Sequence, residues 1–223
     1  MTDFLAEKIY LVLGIGTDVG KTFFVERIIS LLRKQNVAVN VIKPISSGFD
    51  DGDKKSDSAR ILSALNLEVS LKNIKSISPW RFKEAVSPHF AAKNQNQEIN
   101  FDELEKFCFD QIATAKKTGE FLFIEAAGGV MTPVNFEKTF LDLAIALQIP
   151  VLLVANNYLG AISHSLTALQ VLRDSGVKVE KLILNEFGDY GVSIRQTIEK
   201  LGNIEILDLS QLNCHPERER RIS

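Results

Sequence analysis

The sequence predicts an α/β domain of three layers, with a mostly parallel central sheet covered by helices on both faces. Three observations carry this expectation. Apolar runs of strand length recur at residues 8–13, 37–42, 121–125, 150–155 and 181–185. Segments with apolar residues at helical spacing separate them. Within the runs the hydrophobicity is continuous rather than alternating, as in parallel strands buried on both faces.

The elements follow in order. Lys8 to Leu13 (KIYLVL) reads as a strand and leads into glycines. From Thr22, TFFVERIISLLRKQ repeats Phe24, Ile28, Leu31 and Leu32 on one helical face. VAVNVI (37–42) is a second strand, ending at Lys43-Pro44. Ser56 to Asn66 is a helix with Ser56 as its N-cap. Residues 102–116 form an amphipathic helix, and FLFIE (121–125) is a strand that Ala126-Ala127-Gly128-Gly129 closes. Thr139 to Gln148 is helical, Pro150 to Ala155 a strand, Ala161 to Ser175 a helix opening after Gly160, and Lys181 to Asn185 a strand. A helix over 193–201 and a short strand over 204–207 complete the pattern. No repeat or linker interrupts it, so residues 1–210 read as one domain. Residues 211–223, with the charged HPERERRIS, read as a flexible tail.

Composition narrows the function. A chain of 223 residues buries ~70% of its unfolded surface, enough for a core without staples. Net charge is −2 and pI about 6.0, so no nucleic-acid partner is expected and an anionic ligand needs a local cluster of cations. Cys108 and Cys214 belong to no CxxC pair or metal cluster and read as plain thiols of a reducing compartment. MTDFLAEKIYLVLG lacks the basic start of a signal peptide. No apolar run reaches the ~18 residues of a membrane span. The expectation is a cytoplasmic protein with no membrane partner.

The chemistry is expected at the carboxyl ends of the strands, where ligands of open parallel sheets sit. Gly14, Gly16 and Gly20 follow the first strand in GIGTDVGKT. Such a loop lets backbone N–H groups wrap a phosphate that Cβ atoms would obstruct, and the following helix points its positive end at the same anion. Lys21 then reaches the outer phosphates, and Thr22 offers a hydroxyl to magnesium. The spacing GxxxxxGKT is one residue longer than the usual Walker pattern; with strand before and helix after, it predicts a P-loop NTPase fold. Asp57, at a helix start, and Glu125, at a strand end, are the candidate magnesium carboxylates. Glu125 would be costly to bury beside Ala-Ala-Gly-Gly without a cation. Lys43 supplies a second ammonium, and two lysines at one phosphoryl group suit phosphoryl transfer.

Taken together, GIGTDVGKT (14–22), KPISSG (43–48), SD (56–57), SPH (87–89), EAAGG (125–129), TP (132–133), LGAISH (159–164) and LILN (182–185) resemble, in order, the dethiobiotin synthetase family. The resemblance implies a homodimeric P-loop enzyme acting on 7,8-diaminopelargonic acid, carbon dioxide and MgATP. A carbamate of the substrate takes the γ-phosphoryl group, and the second amine closes the ureido ring. It further implies that Thr17, Lys21 and Lys43 steady the carbamate and the migrating phosphoryl. Gly16, Thr17, Asp18, Val19, Gly20, Lys21, Thr22 and Phe23 would bind ATP, with Asn185 reading the adenine edge. Thr22, Asp57 and Glu125 would hold Mg2+. Lys43, Ser47, Glu125, Ala127 and Gly128 would bind the substrate, Ser47 by a hydrogen bond to the carbamate or the diamine end. Gly160, Ala161, Ile162 and Ser163 would take the substrate's carboxylate from the neighbouring subunit. His89 and His164 read as structural.

Some positions depart from the family pattern. Asp18 stands in place of Glu, Ala126 in place of Gly, and Ser163 in place of Asn; the usual Ile-Pro is absent around Ile206-Leu207. A looser base site that also accepts CTP is the resulting expectation. Two rival readings are weaker. Glutaminase-fused synthetases of the P-loop class need a second domain, for which this chain has no room. Partitioning ATPases usually carry a further lysine early in the loop, where this chain has Leu13-Gly14-Ile15-Gly16.

Overall fold

A computed structural model describes residues 4–50, 55–186 and 193–212. The central sheet has six parallel strands: β1 (Ile9–Gly14), β2 (Val39–Ile42), β5 (Phe121–Gly129), β6 (Val151–Asn156), β7 (Val179–Asn185) and β8 (Ile206–Asp208), in the order β2-β5-β1-β6-β7-β8. β1 lies centrally, pairing Leu11 with Ile124 on one side and with Val151 on the other. Consecutive residues Tyr10 to Leu13 are all fully buried, so both faces of the sheet are covered. This is the burial that the unbroken apolar runs required.

The helices between the strands are α1 (Lys21–Lys34), α2 (Asp57–Ala64), α5 (Phe101–Thr118), α6 (Phe140–Leu147), α7 (Ala161–Asp174) and α8 (Arg195–Gly202). The expected N-cap on α2 forms: Ser56 accepts from the Ala59 N–H at 3.4 Å. Asn100 caps α5 in the same way, and Thr139 with Asp142 makes a full capping box on α6. α1 and α7 differ. Each is entered through a left-handed glycine, Gly20 or Gly160, with no side-chain cap. The Ala161 N–H at the start of α7 donates to the Tyr158 carbonyl at 2.9 Å.

Residues 45–94 hold elements that periodicity did not reveal. β3 (Ile45–Ser47) and β4 (Trp80–Phe82) pair in a small parallel sheet, with α3 (Leu71–Ile77) and α4 (Pro88–Asn94) beside them. This layer forms a wall beyond the end of β2. Two further corrections concern the strand ends. β5 does not close at Glu125 but runs on to Gly129, which pairs with Gly14 after a register shift. The close approach explains the glycine: a Cβ on Gly129 would meet the Gly16 backbone at 3.2 Å. Ala126 lies within this strand, 1% exposed and without positive φ, so its replacement of glycine costs no backbone strain. At the other end, a 3-10 turn over Leu209–Leu212 buries both leucines, so the packed chain reaches Leu212. Cys214 and HPERERRIS lie outside the described residues. Among those residues, no helix is long and apolar enough to cross a membrane.

Candidate active site

The strand ends converge on one cavity of about 550 Å³. Of the residues singled out by sequence, Thr17, Asp18, Gly20, Lys21, Thr22 and Phe23 line it from the glycine loop. Lys43, Ser47 and Asp57 line it from the β2–α2 side, and Glu125, Ala127 and Gly128 from the end of β5. Arg60, Thr132 and the segment Ala85 to Pro88 complete the wall.

The loop is shaped by steric necessity. Gly20 has φ of +98°, a conformation that L side chains rarely adopt, and a Cβ there would collide with the Asn185 amide. That amide donates to the Val19 carbonyl at 3.3 Å, tying β7 to the loop. Lys21 folds back over the loop, its ammonium 3.1 Å from the Gly16 carbonyl. Asp18 also adopts positive φ, 56°, at the exposed crest.

Beside the loop is a cluster of opposite charges built on buried Lys43 and Glu125, with Asp57 partly exposed. Glu125 has no solvent exposure. Its Oε1 accepts from the Thr22 hydroxyl at 2.7 Å and from the Lys43 ammonium at 2.8 Å. Lys43 also donates to Asp57. Glu125 Oε2 is buried with no partner, as is the Ser47 hydroxyl. Two carboxylates thus meet one cation, a hydroxyl donates to one of them, and one carboxylate oxygen is to spare. Magnesium draws one or two carboxylates from protein and the rest of its oxygens from phosphate and water, so this donor set fits it. Among the described residues no group of three or more His, Cys, Asp or Glu side chains forms a denser metal cluster.

The two lysines are tuned in opposite directions. Burial dominates at Lys21 and lowers it from 10.5 to about 8, with the neighbouring Lys43 charge adding to the effect. Burial also works against charged Lys43, but Glu125 and Asp57 outweigh it and raise the ammonium above its ordinary value. For Asp57, burial opposes ionisation, yet Lys43, Thr22 and Arg60 hold the carboxyl below the usual range. One ammonium is therefore compensated within the protein. The other is held in a site that disfavours its charge until an anion arrives.

Other expected residues stand apart. Val19 packs into the core, and Gly16 and Asn185 border the loop without lining the cavity. Gly160 to Ser163 form the entry to α7 and do not line this chain's cavity either. His164 bonds the Tyr158 hydroxyl at 2.6 Å, and His89 is bonded to Ser87 and packed against Phe90 and Phe136. Arg60 escaped the sequence reading altogether. On a helical pattern it is one more surface cation, and its partner lies 34 residues away.

A family model described as an AAA domain matches residues 8–211. The ATP-dependent dethiobiotin synthetase BioD of Caulobacter vibrioides is 39% identical over 180 residues, 80% of each chain. The BioD of Phenylobacterium zucineum is 34% identical over 203 residues, covering 88% of this chain and 86% of its own. Among solved structures, the MinC:MinD cell division complex of Aquifex aeolicus aligns with TM-score 0.53 at 18% identity, over 90% of this chain and 79% of that one. A ParA family ATPase from Chlorobium tepidum gives 0.52 at 11%, over 91% and 84%. The last two are similar in fold alone and mark it as that of a P-loop NTPase. Sequence motifs, fold and identity to curated relatives converge: the chain belongs to the ATP-dependent dethiobiotin synthetase family.

Proposed function

We propose that this chain converts 7,8-diaminopelargonic acid, carbon dioxide and ATP into dethiobiotin, ADP and phosphate. The observation that carries the reading is the pairing of a phosphate loop with a buried Lys43–Glu125 ion pair, joined by the partly exposed Asp57, at one cavity. No nucleophilic side chain is required, because the substrate's own carbamate oxygen attacks phosphorus.

The sequence of bonds is as follows. One amine adds to carbon dioxide, forming N–C and losing a proton, and gives a carbamate. A carbamate oxygen then bonds the γ-phosphorus while the bond to the ADP oxygen breaks. The second amine attacks the carbonyl carbon, forming the second N–C bond and losing a proton, while the C–O bond to phosphate breaks with its electron pair leaving on phosphate. Lys21 and Thr17 face the migrating phosphoryl from the loop. Lys43 faces the carbamate from the other wall, with Ser47 at the diamine end. Ala127 and Gly128 leave room for the chain of the substrate. In-line transfer between two fixed anions is mainly positioning and charge neutralisation, which two buried ammonium groups supply.

Magnesium, held by Thr22, Asp57 and Glu125, would supply divalent charge to the β- and γ-phosphate oxygens. The α1 N-terminus, left without a side-chain cap, favours the same phosphates. Gly16, Asp18, Val19 and Phe23 continue the loop's hold on the nucleotide, and Asn185 meets the base. The α7 N-terminus at Gly160 to Ser163 would take the substrate carboxylate of a second copy, making the enzyme a homodimer with shared sites. A cytoplasmic setting suits the reduced, buried Cys108.

The test is incubation with diaminopelargonate, bicarbonate and MgATP, following dethiobiotin by mass. Product that depends on all three is the expected result. Folded, dimeric protein that hydrolyses ATP without any such product would overturn the reading.

A further inference from the structure

Helix α2 carries Asp57 into the cavity, and it is held in place by contacts outside the cavity's own chemistry. The Arg60 guanidinium forks onto Glu26 of α1, Nε to Oε1 at 2.9 Å and Nη2 to Oε2 at 2.5 Å. Its remaining nitrogen lies 3.7 Å from Asp57 Oδ1, while Asp57 Oδ2 meets Lys43. The two oxygens of Asp57 therefore face two cations, one on each side. At the far end, Arg33 of α1 donates to the Leu65 carbonyl that ends α2. From below, Ser58 and Ser78 share a hydrogen bond of 2.7 Å, and Ser78 donates to the Lys43 carbonyl at 2.6 Å. Both serines are fully buried.

We propose that Arg60, through its fork on Glu26, is a positioning residue that fixes the Asp57 carboxylate relative to Thr22 and Lys43. The inference rests on the magnesium-dependent reading above and adds a residue to it. A forked guanidinium sets direction as well as charge, which a point-charged ammonium cannot do. A merely stabilising role fits poorly. The Arg60 side chain is 39% exposed, and exposed ion pairs contribute little to folding. α2 has its own anchors in the fully buried Ile61 and Leu62 and in the Ser56 cap. Partners that orient a metal's carboxylates typically govern affinity by 10- to 100-fold.

The test uses the full chain and its Arg60→Met and Arg60→Lys variants. Mn2+ is titrated in the presence of ADP, with free Mn2+ read by electron paramagnetic resonance. The dissociation constant should rise about tenfold in Arg60→Met, and Arg60→Lys should not restore it. The Mg2+ concentration for half-maximal product formation should rise in parallel, with KM for diaminopelargonate unchanged. The unfolding midpoint without ligands should hardly move. Glu26→Gln, which removes the other half of the fork, should shift Mn2+ binding in the same direction. Unchanged Mn2+ affinity in Arg60→Met, or full rescue by Arg60→Lys, would overturn the role of Arg60 and leave the enzymatic reading standing. Wild-type protein that binds no Mn2+ with ADP would overturn both.

Discussion

The two walls of the cavity each bury a lysine, and they treat it in opposite ways. On the glycine-loop wall, the described partner of Lys21 is the Gly16 carbonyl, and burial lowers its pKa to about 8. On the β2–α2 wall, Lys43 meets Glu125 and Asp57 and is raised. The difference separates what the fold needs from what the ligand needs. Lys43 pairs with the fully buried Glu125, a charge that would be costly without it. Lys21 is held where burial disfavours its charge, a cost that the proposed phosphate ligand would offset. The helix ends repeat the contrast: α2, α5 and α6 are closed by their own side chains, whereas α1 begins at a left-handed glycine with no side-chain cap.

Substitutions at the two lysines should therefore part company. Lys21→Met should lower kcat about 10³-fold, as loss of a transition-state charge partner does, while urea unfolding of the ligand-free protein shows no loss of stability. A large loss of stability would break the comparison. Lys43→Met should lose activity and also about 3–5 kcal/mol of stability, because the fully buried Glu125 is left without its cation. Adding Glu125→Gln to Lys43→Met should return part of that stability and none of the activity, a result that denaturant curves and the product assay read separately.

A smaller effect sharpens the contrast through pH, measured without nucleotide or divalent ion. Below about pH 8, Lys21 is charged in both folded and unfolded chains, and the full cost of burying it is present. Between about 8 and the ordinary value of 10.5, the folded protein has released the proton and the unfolded chain has not. Wild type should therefore gain stability relative to Lys21→Met as pH rises through this window. Lys43 has the opposite sign. Its raised value makes its contribution complete below 10.5, to be lost only at higher pH. The advantage of wild type over Lys43→Met should stay flat to pH 10. Parallel pH profiles for the two variants would contradict the assignment.

Much of this was legible in the sequence, for a physical reason. Long buried strands and amphipathic helices announce themselves by periodicity, and a phosphate loop must spend glycines at fixed places. Lys43 and Asp57 could be named because each sits at the edge of such an element, and Glu125 because it ends the apolar run FLFIE, although β5 itself continues past it. What stayed hidden has little local signature. β3 and β4 are three residues long and find each other across 35 positions, Ile45 to Trp80. α3 buries only Ile74 and Ile77, too few to set a period. Arg60 and Glu26 take their meaning from the packing of α1 against α2, which no spacing within one helix discloses. The continuation of β5 to Gly129 depends on the Gly16 backbone lying against it.

The central claim is that this cavity brings a carbamate oxygen onto the γ-phosphorus of ATP. The most direct measurement is a rapid single turnover with C18O2 added to unlabelled water, diaminopelargonate and MgATP, analysing the released phosphate by mass before the label exchanges. The account predicts phosphate carrying one oxygen-18, with the second label in the ureido carbonyl of dethiobiotin. Phosphate without label, formed together with labelled dethiobiotin, would contradict it.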